Sequence, residues 1–257
     1  MRYFITLSYD GAPFSGWQIQ ENANSVQHEI QKALGILLRE PVTVTGAGRT
    51  DAGVNAIGYV AHFDSKNILK NCPQLCYKLN AILPNEICVH EIFQMPGNAH
   101  ARFDATSRCY KYYIHTRKDP FCARYSCLTK EKPDIAAMNR AAGHLLGVHD
   151  FSCFEKLNGG NKTSICNVME AGWEQIDSHR YLFTIRANRF LRNMVRAIVG
   201  SLLEVGYGKR QPEWIAEIME MKERGKAGQS VPGNALFLAE ITYPYPLKQQ
   251  PEASDRQ

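Results

Sequence analysis

The sequence predicts an α+β fold made of two halves that each run β-α-β-β-α-β. Three observations lead there. Short β-branched and aromatic runs alternate with amphipathic stretches of helical period, in the same order twice. Apolar residues make up 44% of the 257 and charged residues 21%, which excludes collagen-like, coiled-coil and wholly disordered chains. No apolar run approaches the roughly 18 residues of a membrane span. The amino-terminal stretch has one positive charge and no small-residue cleavage site, so a cytoplasmic protein is expected.

In the first half, residues 2–9 (RYFITLSY) read as a strand. Ser25 can cap the helix that follows, in which Val26, Ile30, Leu34, Leu37 and Leu38 recur at helical spacing until Pro41. Residues 42–45 and 58–64 read as strands joined by a glycine-rich loop, 46–57. A helix after Pro73 carries Leu75, Leu79 and Ile82 on one stripe, and 87–94 closes the half as a strand. In the second half, 105–116 reads as a strand and 135–146 as a helix. Residues 165–176 and 181–187 form strands that meet near Asp177. Asn188 is placed to cap a helix over 189–205, a short helix covers about 212–223, and 236–242 is the last strand. The expected units are 1–101 and 102–246, with 247–257 a flexible tail and mobile loops at 158–164 and 224–233.

The net charge is +5, but its placement is uneven. Residues 101–132 hold eight Lys/Arg against three Asp/Glu, and 180–210 hold seven against one. Those stretches sum to +11, leaving −6 for the rest of the chain. Clustered basicity beside twelve Tyr and eleven Phe marks either a polyanion surface or a solvated basic face. The eight cysteines include no C-x-x-C and no matching pair at zinc spacing, so buried thiols are expected rather than a metal site. Gly46-Ala47-Gly48 lacks the third glycine of a dinucleotide fingerprint, and 159–163 lacks the glycines of a phosphate loop.

Two segments carry chemistry. In the loop 46–56 (GAGRTDAGVNA), glycines 46, 48 and 53 allow close approach of a ligand, and Arg49 and Asp51 lie two apart. A tight turn with a surface ion pair is the other reading. In 189–205, Leu191, Met194, Val195, Ile198 and Leu202 form an apolar stripe, while Arg189, Arg192 and Arg196 recur with no interleaved acid. Guanidinium groups suit bidentate contact with phosphate or carboxylate. Strand 107–113 alternates, with Arg108, Tyr110 and Tyr112 on one face. Such aromatics can stack bases or simply pack.

Five blocks together resemble the tRNA pseudouridine synthases of the TruA type. They are YDGAPFSGWQIQ (9–20), SVQHEIQKAL (25–34), GRTDAGVNA (48–56), HARFDATSRCYKY (100–112) and FLRNMVRAIVGSLLEVG (190–206). The resemblance runs over about residues 3–242. It departs from the family at Asn55, where His is usual, at Cys109, and in the looser block 231–238.

The resemblance implies two RRM-like halves (ferredoxin-like split β-α-β units) related by pseudo-two-fold symmetry, with their sheets flanking a basic cleft. It implies a homodimer that isomerises uridines 38, 39 and 40 in the anticodon stem-loop of tRNA, with no metal or organic cofactor. Asp51 would be the catalytic carboxylate, Arg196 its ion-pair partner, and Tyr110 the ring that stacks on uracil. Arg49, Arg108, Arg189, Arg192 and Asn55 would contact substrate. A non-catalytic RNA-binding protein is one rival reading. Another RNA-modifying enzyme would need a nucleotide-type cofactor loop, which the sequence lacks.

Overall fold

A computed structural model describes residues 1–156 and 163–247. The first half contains β1 (Arg2–Tyr9), α1 (Val26–Leu38), β2 (Val44–Gly46), β3 (Asn55–Asp64), α2 (Cys72–Ile82) and β4 (Ile87–Met95). The second contains β5 (Ser107–His115), β6 (Cys127–Leu128), α3 (Ile135–Gly143), β7 (Gly147–Asp150), β8 (Ile165–Gln175), β9 (Arg180–Ala187), α4 (Met194–Gly206), α5 (Trp214–Met221) and β10 (Leu236–Thr242). Ser25 caps α1 as its sequence position suggests, its Oγ accepting the His28 N–H.

All strands join one sheet, in the order β4-β1-β3-β10-β5-β9-β8-β7, with β2 added to β3 and β6 to β5. This corrects the expectation of separate sheets. β3 pairs along one edge with β1 and divides its other edge between two partners. Residues 61–63 take β2, antiparallel, and Asn55 and Ala56 take Phe237 and Leu238 of β10, parallel. The four main strands of each half lie in the same spatial order, fourth-first-third-second. The loop 47–54 leaves the sheet where β3 changes partner, so the seam between the halves positions it.

Two apolar cores flank this seam. One gathers Phe4, Ile5, Leu7, Tyr59 and Phe63 with Ile30 and Leu34 of α1, and borrows Leu238 and Ile241 from β10. The other gathers Tyr112, Phe183, Met138 and Ile198, and borrows Val54 from the loop. Burying each large side chain contributes about 1.5–3 kcal/mol, so the exchange of residues binds the halves together.

The structure revises several local expectations. Ile82 is 46% exposed, off the buried stripe of Leu75 and Leu79. α4 begins five residues later than expected. Asn193 adopts a left-handed conformation (φ 67°) and breaks the helical path, while its amide donates to Ser230 Oγ at 2.7 Å. Asn188 caps no helix. Its Oδ1 accepts the Asn167 N–H at 2.8 Å. Nor does 224–233 hang free. The Gly228 N–H donates to Ser201 Oγ at 2.9 Å and the Arg224 guanidinium to Ser230 Oγ at 2.9 Å. The expected loop 158–164 and tail 247–257 lie almost wholly outside the described residues. Among the described residues, no helix is long and apolar enough to cross a membrane.

Candidate active site

The loop 47–54 is held from below by aromatic residues of the first core. Tyr59 donates its hydroxyl to the Gly48 carbonyl, and Tyr9 shares a buried 2.9 Å hydrogen bond with Thr50 Oγ1. Trp17 stacks on Tyr59 with centroids 4.1 Å apart and donates its backbone N–H to the Thr50 carbonyl. Gly16 lies against that carbonyl at φ 93°, where a Cβ would overlap the Thr50 oxygen. Beyond Asp51 the Gly53 N–H donates to the Phe14 carbonyl at 3.3 Å, so the loop is held on both sides of a short side chain whose direction a reacting carboxylate requires.

Asp51 is one-fifth exposed and lies between two guanidiniums. Its Oδ2 is 3.6 Å from Arg196 Nη1 and its Oδ1 is 3.7 Å from Arg192 Nε. Both separations exceed a hydrogen bond, so the arginines supply charge without occupying the carboxylate's lone pairs. Arg196 is aimed by its own backbone contacts. Its Nε donates to the Val231 carbonyl at 2.7 Å, and the Val231 N–H donates back to the Arg196 carbonyl. Arg192 precedes α4, just before the left-handed Asn193, and with Arg196 it brackets the Asp51 carboxylate.

Tyr110, on β5, is half-buried and meets Phe190 edge-on at 5.0 Å. Burial, then the nearby Asp51 charge, push its phenol well above the ordinary range, so it stands protonated at neutral pH.

Asp51, Tyr110, Arg49, Arg108, Arg189, Arg192 and Arg196 all line one cleft of about 2050 Å³. Its described lining includes nine Lys/Arg and two Asp/Glu, over a floor that includes Leu236 and Leu238. Arg49 is exposed there.

Two residues expected to contact substrate make extensive hydrogen bonds within the protein. Asn55 is buried at 2% exposure and lies outside the cleft lining. Its Oδ1 accepts the Gly11 N–H at 2.8 Å, and its Nδ2 donates to the Asn234 carbonyl at 2.7 Å. It thus ties the β3–β10 seam, where backbone groups need partners. Arg108 borders the cleft, but Nη1 donates to the Ala105 and Asn188 carbonyls and Nη2 to those of Ala47 and Arg102, at 2.7–3.1 Å. Burial lowers its pKa. This guanidinium joins the loop, the residue that follows β9 and the segment 102–105.

The 99–104 turn borders the cleft through Arg102 and Phe103; the block 100–112 carries the family resemblance, but no role was assigned to His100, Arg102 or Phe103. His62 Nδ1 accepts the Ala101 N–H, and His100 Nδ1 accepts those of Arg102 and Phe103, each at 3.1 Å. Asp104 Oδ2 accepts the His100 N–H at 2.7 Å and the Tyr245 hydroxyl at 2.8 Å, while Tyr243 donates to the Ala101 carbonyl at 2.6 Å. Lys156, Lys222 and Arg224 also line the cleft and were missed, since they lie outside the two basic stretches of the sequence. Among the described residues, no group of three or more His, Cys, Asp or Glu is placed to hold a metal ion.

Residues 141–244 match a family model described as tRNA pseudouridine synthase. Relatives extend the likeness beyond that segment. A protein named tRNA pseudouridine synthase A from Parabacteroides distasonis is 51% identical over 246 residues, covering 96% of this chain and 97% of its own. One of the same name from Bacteroides fragilis is 50% identical, covering 95% and 96%. A third, from Aliivibrio salmonicida, is 38% identical over 248 residues, covering 95% and 93%. With identity at this level sustained along nearly the full length of both partners, the chain belongs to the tRNA pseudouridine synthase A family.

Proposed function

We propose that this protein isomerises uridine to pseudouridine at positions 38, 39 and 40 of the tRNA anticodon arm, with Asp51 as the catalytic carboxylate. The observation that carries the reading is the setting of Asp51. It is a fixed carboxylate between Arg192 and Arg196, in a cleft whose described lining is strongly basic.

The reaction breaks the N1–C1′ bond, turns the uracil, forms a C5–C1′ bond and releases the C5 hydrogen as a proton while N1 takes up a proton. Nothing is oxidised, and no group leaves the nucleotide. Asp51 can attack C1′ or C6, or remove the C2′ proton. Each route needs a short, ionised carboxylate with free lone pairs. Arg196 stabilises its charge. Tyr110 stacks on the detached uracil, and its protonated phenol can accept the C5 proton only as it passes its own proton on. Arg49, Arg189 and Arg192 contact phosphates, so affinity should fall steeply with salt. Extruding the base costs a few kcal/mol, which those contacts offset. The common strand order of 1–101 and 102–246 supports two RRM-like halves related by pseudo-two-fold symmetry, with the cleft across their seam. The working form is a cytoplasmic homodimer, which sedimentation at micromolar concentration tests.

The deciding experiment is tritium release from tRNA carrying 5-tritiated uridine. Wild type should release tritium, and Asp51→Asn should release none while still binding tRNA. Equal release by both would remove Asp51 from the chemistry. No release by wild type from several unmodified tRNAs would leave an RNA-binding protein or a different enzyme.

A further inference from the structure

Three aromatic side chains are more than 70% exposed among the described residues: Phe121, Tyr77 and Phe103. Of these, only Phe103 lines the cleft. Leaving a phenylalanine 76% in water forgoes most of what its burial would contribute. Its position is nevertheless held by the neighbouring His100. The His100 imidazole accepts its N–H and also stacks on its ring, with centroids 4.2 Å apart and planes 27° from parallel. The neighbouring Arg102 guanidinium stands 5.8 Å from the ring centroid. An exposed ring on a rigid turn has already lost the freedom that a binding partner would otherwise have to remove.

We propose that Phe103, flanked by Arg102, is a stacking platform for an unstacked base of the RNA substrate, where the 99–104 turn borders the cleft. The proposal rests on the reading that this cleft takes tRNA, and it adds a second base-binding position to the Asp51 site. An aromatic face beside a cation fits a nucleobase with its phosphate. Every base offers a π-face, and stacking on aromatic side chains is sequence-tolerant. An apolar protein segment would fit poorly, because docking here would bury the cleft's many positive charges. With His100 behind the ring, the platform is one partner short of a continuous stack.

The test compares Phe103→Ala, Phe103→Leu and Phe103→Trp in the full chain, by tRNA affinity and by KM and kcat. Phe103→Ala should weaken tRNA binding about five- to hundred-fold and raise KM, with the salt slope of affinity unchanged. Phe103→Trp should bind as wild type does, and Phe103→Leu should behave like alanine. In the inactive Asp51→Asn background, the tryptophan of Phe103→Trp should be quenched on adding tRNA, which separates stacking from chemistry. Thermal melting of each variant checks folding, which an exposed position should preserve. Leucine matching wild type would show mere apolar contact and overturn the proposal. So would wild-type affinity in all three variants, or an unquenched tryptophan at saturating tRNA. Failure of wild type itself to bind tRNA would overturn the functional reading along with the platform. Normal binding and turnover with indifferent Phe103 variants would overturn the platform alone.

Discussion

Taking the protein from pH 7.5 to pH 5.0 should cost about 2 kcal/mol of stability through one side chain, His62. It is 5% exposed, stacks on Phe4 with centroids 5.8 Å apart, and uses Nδ1 to accept the Ala101 N–H. A proton on Nδ1 would abolish that bond and place a cation beside Arg2. Burial first, then Arg2 and His100, push its pKa from the ordinary 6.5 down to about 4. The folded pKa is depressed, so between those values the unfolded chain holds a proton that the folded chain refuses. The stability is therefore complete above about 6.5 and is lost as pH falls towards about 4. The full interval corresponds to about 3 kcal/mol at 1.36 kcal/mol per pH unit, and about 2 kcal/mol of it is gone by pH 5. His100 is lowered in the same direction, also chiefly by burial, and adds to the slope. Asp64, held down by its hydrogen bond to Arg2, and Asp104, held down by the His100 N–H, titrate beneath this window. Urea unfolding at pH 7.5, 6.5, 5.5 and 5.0 measures the slope. His62→Asn keeps an acceptor near the Nδ1 position but does not titrate. It should be less stable at pH 7.5, having lost the stack, and distinctly flatter towards pH 5. Parallel curves for wild type and variant would refute the reasoning.

Arg108→Lys should cost about 2–4 kcal/mol in urea unfolding, because one ammonium cannot satisfy four carbonyls from three segments. Asn55→Ala leaves the Gly11 N–H and the Asn234 carbonyl unpaired at the seam. It should cost about 2–3 kcal/mol and lower kcat more than it raises KM, read by melting and steady-state kinetics. Gly200→Ala would drive a Cβ into the Gln229 carbonyl and should cost about 3 kcal/mol or more. Gly48→Ala, with nothing within 4 Å of the added carbon, should change stability by less than about 0.5 kcal/mol in the same melts.

Much of this architecture was legible as pattern. The β-branched and aromatic run 2–9 placed β1, and the period of 3.6 after Ser25 placed α1, whose buried face imposes that spacing. The glycines around Asp51 and the unbalanced arginines near 189–196 pointed to the loop and to its partners. What stayed hidden depends on distant contacts. The single sheet rests on two residue pairs between β3 and β10, too few to leave a periodic trace. The kink at Asn193 answers to Ser230, thirty-seven residues away. The structural bonds of Arg108 and Asn55 left no local trace, because most of their backbone partners come from remote segments. His62 and His100 were indistinguishable from polar residues of a strand and a turn until Nδ1 of each was seen to hold backbone N–H groups.

The seam also sets an order of events during synthesis. Asn55 and the main chain of Asn234 are separated by 179 residues, yet they share a hydrogen bond behind the Asp51 loop. Leu238 and Ile241 complete the core of the first half. A ribosome that has released only that half therefore exposes a β3 edge without its β10 neighbour and a core lacking two side chains. Unpaired edges of this kind invite association with other chains. Competence to act on RNA should thus arrive late and abruptly, when residues 236–242 emerge and dock. A nascent chain stalled before them would have Asp51 in sequence but no seated active site.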